Sequence, residues 1–325
     1  MHAGDAVLVA EVVRSGLVES RHRGSVVALA ADGSVAFAAG RTDAPMYPRS
    51  SNKPVQAAAM LRLGLPLDGE LLALAAASHS GEPLHVDGVR RILALGGLDE
   101  AALRNTPGYP IDPATMVDHV RKGGEPSSLT ADCSGKHAAM LLTCVVNAWP
   151  TDDYLDPAHP LQAAIHDTVG ELAGGPVVHT GVDGCGAPLF AVPLTGLARM
   201  FRSLSLAAPG TPERRVAEAI QAHPEYTSGT TRDEARLIRG VPGLFAKGGA
   251  EAVLAAALDD GRAVAVKIDD GDARARMPVM VAALRRLGVT APVLDELAEG
   301  AVLGGGRPVG AVRPAGPPWE SGPGE

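Results

Sequence analysis

Tyr47-Pro48-Arg49-Ser50-Ser51-Asn52-Lys53-Pro54 marks the point at which a strand-forming chain becomes a helical one. The residue before a proline avoids the helical region, so the chain runs extended into this stretch. Pro54 has no amide proton and fits only the first turn of a helix, which puts Ser50 at or just before a helix N-terminus. The alanine-rich run from Val55 to Leu61 then reads as a buried helix. At that helix start Ser50 and Lys53 are three residues apart and share a face. A serine hydroxyl is a poor nucleophile near neutral pH, and an adjacent lysine amine in its neutral form can take the proton as the oxygen attacks a carbonyl. The free amides of the first turn and the positive end of the helix dipole would face the resulting oxyanion. The bland alternative is a capping serine followed by a solvated lysine.

Working outward, Ala6 to Val13 and Gly24 to Ala30 are rich in valine, and Ala31-Asp32-Gly33-Ser34 supplies a turn into Val35 to Ala39, the pattern of an antiparallel meander. Beyond Lys53 the helical spacing of apolar residues recurs in Val55 to Leu63, Gly69 to Ala77, Val86 to Leu95, Lys136 to Asn147, Leu161 to Leu172, Leu189 to Leu204 and Pro212 to Ala222. Strand character returns in Ala252 to Leu258 and Ala263 to Ile268, which flank the turn Asp259-Asp260-Gly261. A last helix from Ala273 to Leu287 precedes a strand near Pro308 to Val312. The fold class is therefore α+β: an antiparallel sheet built from N- and C-terminal strands, with flanking helices and an inserted helical region. Residues 1–313 read as a single catalytic unit, the sheet from about 1–48 and 244–313 and the helical region from about 49–243, followed by a flexible Pro/Gly-rich tail at 314–325.

With 325 residues, 46% of them hydrophobic and 20% charged, the chain can bury one large core or two smaller ones. A net charge of -8 without a Lys/Arg cluster argues against a nucleic-acid partner. No stretch of eighteen apolar residues offers a membrane span, and Met1 to Ser20 lacks a basic leader followed by an apolar run, so a cytoplasmic location is expected. Three cysteines fit a reducing compartment better than a disulfide framework. A small molecule is the expected partner.

Four further clusters carry chemistry. Ser78-His79-Ser80-Gly81-Glu82 ends the apolar run Leu71 to Ala77 with a dense polar group. Cys133-Ser134-Gly135-Lys136-His137 opens the next apolar helix, in which Cys144 reads as a core thiol, and Asp183-Gly184-Cys185-Gly186 forms a glycine-rich turn before Pro188. Two thiols beside a lysine, a histidine and an aspartate can bind a metal, although cysteines are also small buried apolar residues. Lys247-Gly248-Gly249-Ala250 immediately precedes the strand hairpin, which places its backbone on a sheet edge where close approach requires glycine.

In this order the motifs Ser20-Arg21-His22-Arg23-Gly24, Arg49-Ser50-Ser51-Asn52-Lys53-Pro54, Ser78-His79-Ser80, Cys133-Ser134-Gly135-Lys136-His137, Asp183-Gly184-Cys185, Lys247-Gly248-Gly249-Ala250 and Val266-Lys267-Ile268-Asp269-Asp270-Gly271 resemble the asparaginase II family of serine-dependent L-asparaginases, over nearly the whole chain. The resemblance implies a serine β-lactamase/glutaminase-like fold. It also implies hydrolysis of L-asparagine to L-aspartate and ammonia through an acyl-serine intermediate. Its catalytic pairs fall on Ser50 with Lys53 and on Ser78 with Lys247, and Asp183 matches the residue that grips the substrate's α-amino group. It places Cys133, Lys136 and Cys185 around a zinc ion of structural or electrostatic role, and implies no organic cofactor. An amine must be neutral to bind a metal, and His137 is the conventional substitute for Lys136, so it stays among the site residues without a fixed role.

Where the wider penicillin-recognising pattern has a hydroxyl after the strand lysine, this chain has Gly248, and in place of S-x-N it has Ser78-His79-Ser80. Arg49 or another base then takes over carboxylate recognition, and the amides of Ser50 and Ala250 are the expected oxyanion donors. The resemblance inclines toward a homodimer, which nothing in the composition requires. The alternatives are a glutaminase or β-lactam-type serine amidohydrolase, and a non-catalytic amino-acid sensor. Intact Ser50, Lys53, Ser78 and Lys247 argue against the sensor.

Overall fold

In the computed structural model, which describes residues 5–320, the valine-rich N-terminal segment folds into the hairpin of β1 (Val7–Arg14) and β2 (Leu17–Leu29). Ser15 and Gly16 form its two-residue turn, both at positive φ, a geometry whose twist matches the flanking strands. β2 starts at Leu17 rather than Gly24. Its first half alternates exposed and covered residues from Leu17 to Arg23 and so lacks the apolar run that marks the second half. β3 (Val35–Ala39) returns on β2, and β4 (Pro45–Met46) follows. Later come β5 (His179–Val182), β6 (Pro188–Pro193), β7 (Leu244–Gly249), β8 (Val253–Leu258), β9 (Ala263–Ile268), β10 (Gly300–Gly304) and β11 (Arg307–Pro314). The main sheet is antiparallel in the order β10-β11-β1-β2-β9-β8-β7, with β3 paired to β2 as well. The α+β architecture, with N- and C-terminal strands in one sheet, is thus the one expected.

The described chain divides into two compact units where the sequence suggests one with an insertion. The first holds the residues up to Ser51, Val192–Leu206 and the chain from Arg236 onward; the second holds Asn52–Ala191 and Ala207–Ala235. In the sheet unit, α7 (Leu194–Leu206) packs on β2, β8 and β9, and the helix Arg276–Arg286 packs on β1, β8, β9 and β11. All residues of β7 and β8 are buried, which requires cover on both faces. Phe201 of α7 stacks on Phe245 of β7 with ring centroids 5.0 Å apart.

The helical unit is built from α1 (Lys53–Arg62), α2 (Gly69–Ala75), α3 (Pro83–Leu95), α4 (Pro113–Arg121), α5 (Ser134–Val146), α6 (Pro160–Ala173) and α8 (Pro212–Ala222). α1 packs against α2, α5, α6 and α8 and is buried from Lys53 to Leu61; its small alanines allow four neighbours to close around it. That all-round burial takes Lys53, the first residue of the helix, out of solvent.

Two expectations need correction. Leu189 to Leu204 is not one helix: Pro188 to Pro193 is the strand β6 and α7 begins at Leu194. An unbroken apolar run does not distinguish a buried strand from a buried helix, and Pro193, which a helix interior rejects, sets the boundary. The segment expected as a loose tail begins in order: Pro314 closes β11, Pro317–Glu320 forms a helical turn, and the Trp319 indole donates to Val9 O at 2.8 Å. The rest of that tail, 321–325, lies outside the described residues. No helix among the described residues is long and apolar enough to cross a membrane.

Candidate active site

The turn that opens α1 is a 3-10 helix, Arg49–Asn52, and the chain enters it through Arg49 in the left-handed region at φ 51. A non-glycine residue there costs about 1–3 kcal/mol and persists only where its surroundings over-determine it. In the sheet unit that constraint comes from the end of β7. A Cβ on Gly249 would stand 2.7 Å from Pro48 O, 3.0 Å from Ser51 N and 3.2 Å from Ser50 N, so only glycine lets the strand lie on this turn. The Ser51 hydroxyl is committed to Pro48 O at 2.6 Å, whereas Ser50 is only half-buried. Arg49 pairs with Glu251 at 3.9 Å. Lys247 is buried on β7 and donates through Nζ to Gly248 O at 2.7 Å, and Ala250 follows the strand directly. Ser50 and Ala250 therefore place their backbones at the same end of β7.

In the helical unit, Lys53 is 1% exposed, and its Nζ donates to Ala77 O at 2.6 Å and to Ser78 Oγ at 2.9 Å. Ser78 sits in the loop after α2, and its amide is fixed by Thr227 O at 3.1 Å. The serine assigned by sequence to Lys247 thus has its hydroxyl on the Lys53 amine. Asn52 Nδ2 and Gln56 Oε1 flank Lys53, both buried and both without a hydrogen-bond partner among the described residues.

The second cluster of this unit is built by two elements. Cys133 caps α5, whose first turn carries Lys136 and His137. Cys185 comes from the hairpin of β5 and β6. There the amide of Gly186 bonds to Asp183 O and that of Asp183 to Ala187 O, a tight turn that Gly186 completes at φ 87. The ligand atoms of Cys133, His137 and Cys185 all lie within 4.8 Å of one another, and the three residues are buried. Lys136 Nζ donates to Cys185 Sγ at 3.2 Å. A hydrogen bond from the Cys133 thiol, then the Lys136 charge, hold the Cys185 thiol far below the ordinary thiol range against burial, while the same hydrogen bond and burial push Cys133 far above it. Burial opposes the charge on Lys136, yet Cys185 and Cys133 raise its amine. Burial and the Lys136 charge push His137 down to about 4, so it is a neutral imidazole.

These donors suit a metal such as zinc. His137 Nδ1 is fixed on the Tyr154 hydroxyl at 2.8 Å, and its Nε2, buried and close to both sulfurs, has no hydrogen-bond partner among the described residues. Lys136 places its amine on the Cys185 sulfur at 3.2 Å, and His137 is the third residue of the buried trio. Asp183, two residues before Cys185, accepts from the Gly184 amide at 2.8 Å.

Each unit thus gathers its own share of the candidates: Arg49, Ser50, Lys247 and Ala250 about β7 in one; Lys53 with Ser78, and Cys133, Lys136, His137 and Cys185 with Asp183 nearby, in the other. Tyr154 had no sequence signal, lying in a short polar loop with no motif about it. Gly249 had one, in the paired glycines after Lys247.

The sequence pattern of the family described as L-asparaginase II matches residues 10–314. No curated protein matches the sequence. Among solved structures, Mglu in its native form is 16% identical over 81% of this chain and 63% of its own, with a TM-score of 0.38. Mglu in its glutamate form is 17% identical over 89% of this chain and 65% of its own, with a TM-score of 0.39. A beta-lactamase from Mycobacterium bovis is 14% identical over 81% of this chain and 94% of its own, with a TM-score of 0.45. The chain spans less than two thirds of the length of the Mglu chains it matches.

Proposed function

This chain belongs to the L-asparaginase II family, and from that premise we propose that it is an amidohydrolase that hydrolyses the side-chain amide of L-asparagine to L-aspartate and ammonia through an acyl-serine intermediate. The observation that carries the serine chemistry is the 2.9 Å hydrogen bond from Lys53 Nζ to Ser78 Oγ, made by an amine that the fold has removed from water. Ser50, on the turn leading directly into Lys53, is the nucleophile. Its Oγ attacks the carboxamide carbon while Lys53 takes the hydroxyl proton. Collapse of the tetrahedral adduct breaks the C–N bond, and the leaving nitrogen receives a proton through Ser78 and departs as ammonia. Water then attacks the ester carbon, its proton passing back along the same groups, and aspartate leaves with Ser50 restored.

The amides of Ser50 and Ala250 are the oxyanion donors, each contributing roughly 3 kcal/mol of transition-state stabilisation. Arg49 binds the substrate's α-carboxylate, Asp183 its α-amino group, and Lys247 acts with Ser78 in passing the proton to the leaving nitrogen. Cys133, His137 and Cys185 would hold a zinc ion, whose charge would cross-link α5 to the β5–β6 hairpin and offset the thiolate. No step of the turnover is assigned to it.

Ammonia release from asparagine, with glutamine and a chromogenic β-lactam as competing substrates, tests the reading. Wild type should favour asparagine, and Ser50→Ala should lower kcat by roughly three orders of magnitude or more without loss of fold. Turnover retained in Ser50→Ala would remove the nucleophile from the scheme, and a preference for either competitor would reassign the substrate.

A further inference from the structure

His79 is absorbed by none of the steps above, yet it is fully buried one residue from Ser78. Its amide donates to Asp132 O at 2.9 Å. Its Nδ1 accepts from the Gly81 amide at 3.2 Å, so the ring proton resides on Nε2, which then donates to Ser134 Oγ at 2.8 Å. The ring stacks on His85, centroids 5.0 Å apart and planes 12° from parallel. His85 is itself fixed at both nitrogens, by the Glu82 amide and by Glu225 O. Ser134 is the first residue of α5, directly after Cys133. The loop that presents Ser78 is therefore fastened on one side to Thr227 and on the other, through one imidazole, to the helix start that carries Cys133, Lys136 and His137.

From this geometry we propose that His79 is a positioning residue: its Nε2–H bond to Ser134 holds the Ser78 hydroxyl against Lys53 and ties that hydroxyl to the first turn of α5. The proposal deepens the serine reading and rests on it. A 1 Å misplacement of a reacting group can cost about a hundredfold in rate, so loosening this tie should act on turnover more than on binding. Ser134→Ala removes the acceptor and leaves His79 in place; His79→Phe keeps the stacked ring and removes both ring hydrogen bonds.

In both variants kcat for asparagine should fall about 10- to 100-fold while KM stays within threefold, per folded molecule counted by near-ultraviolet dichroism. A downfield proton resonance of the buried Nε2–H, identified by its absence in His79→Phe, should move upfield in Ser134→Ala. Bound metal per chain should equal that of wild type in both, separating the effect from damage at Cys133. A kcat within twofold of wild type in either folded variant would overturn the positioning role, as would a loss that merely tracks the folded fraction. A wild type that keeps the resonance but releases no ammonia from asparagine would fail the asparagine reading instead, so the two failures are distinguishable.

Discussion

Arg49 and Gly249 show how single residues set the chemistry of the Ser50 turn. Arg49 occupies a backbone region that L-residues avoid, and the contact that holds it there is the bare Cα of Gly249 on the Pro48–Ser51 turn. Neither partner can move without the other, because the Cβ of any other residue at 249 would meet backbone rather than the end of a flexible side chain. Gly249→Ala should therefore displace the turn by several tenths of an ångström and lower kcat by an order of magnitude or more. It should also cost about 1–3 kcal/mol of stability, the usual range for overpacking. Urea melts and ammonia release on the purified variant check both effects, and a variant that matches wild type in each would show that the turn is not held by this contact. The importance of the paired glycines after Lys247 was legible in the sequence as a need for close approach. What they approach was not, since Pro48 and Gly249 are two hundred residues apart and only the sheet joins them. The pairing of Lys53 with Ser78 was equally hidden: spacing along one helix pointed to Ser50, while the Ser78 contact depends on where the loop after α2 ends.

At the scale of elements, α3 carries a titration that the fold imposes. His85 lies in its first turn, buried, with its ring nitrogens fixed by the Glu82 amide and Glu225 O. Burial lowers its pKa from the ordinary 6.5, outweighing the Glu82 and Glu225 charges that would raise it; stacked His79 and the edge of Tyr226 complete its surroundings. The sign follows from proton binding. Below the unfolded value the unfolded chain binds a proton that the native ring resists, so this stability is fully present above about pH 6.5 and is lost as pH falls through the lowered native value. The melting temperature of wild type should fall more steeply between pH 7 and 5 than that of His85→Gln, read by dichroism at matched ionic strength; parallel curves would contradict the assignment. The elements themselves were mostly readable, because α1, α3, α5 and α8 repeat apolar residues at helical spacing and β8 and β9 flank Asp259-Asp260-Gly261. The strand β6 was not, because it is buried nearly throughout and carries no periodicity to separate it from a buried helix.

For the molecule as a whole, the division into two units makes the effect of a metal local. Among the described residues the clustered donors that would hold it belong to the helical unit: Cys133 and His137 at the start of α5, and Cys185 on the β5–β6 hairpin. A ligand that binds only the folded form stabilises by RT ln(1 + [L]/Kd), about 2.7 kcal/mol at a hundredfold excess over Kd. Proteins open in sub-global units with their own free energies, and the opening that matters here is the one that separates α5 from the hairpin. Zinc added to chelator-treated protein should therefore slow amide hydrogen exchange about a hundredfold in α5 and in β5–β6. The central strands β1, β2, β8 and β9, which contribute no donor, should exchange as before. Cys185→Ser should abolish the protection, because it removes the donor that the hairpin supplies, whereas Lys136→Met should retain most of it if the lysine acts as a counter-charge rather than a ligand. Peptide-resolved exchange measured by mass spectrometry separates these outcomes. Uniform slowing of both units would show that they open together and overturn the local reading; zinc protection lost in Lys136→Met but kept in His137→Ala would transfer the third donor position from the imidazole to the amine.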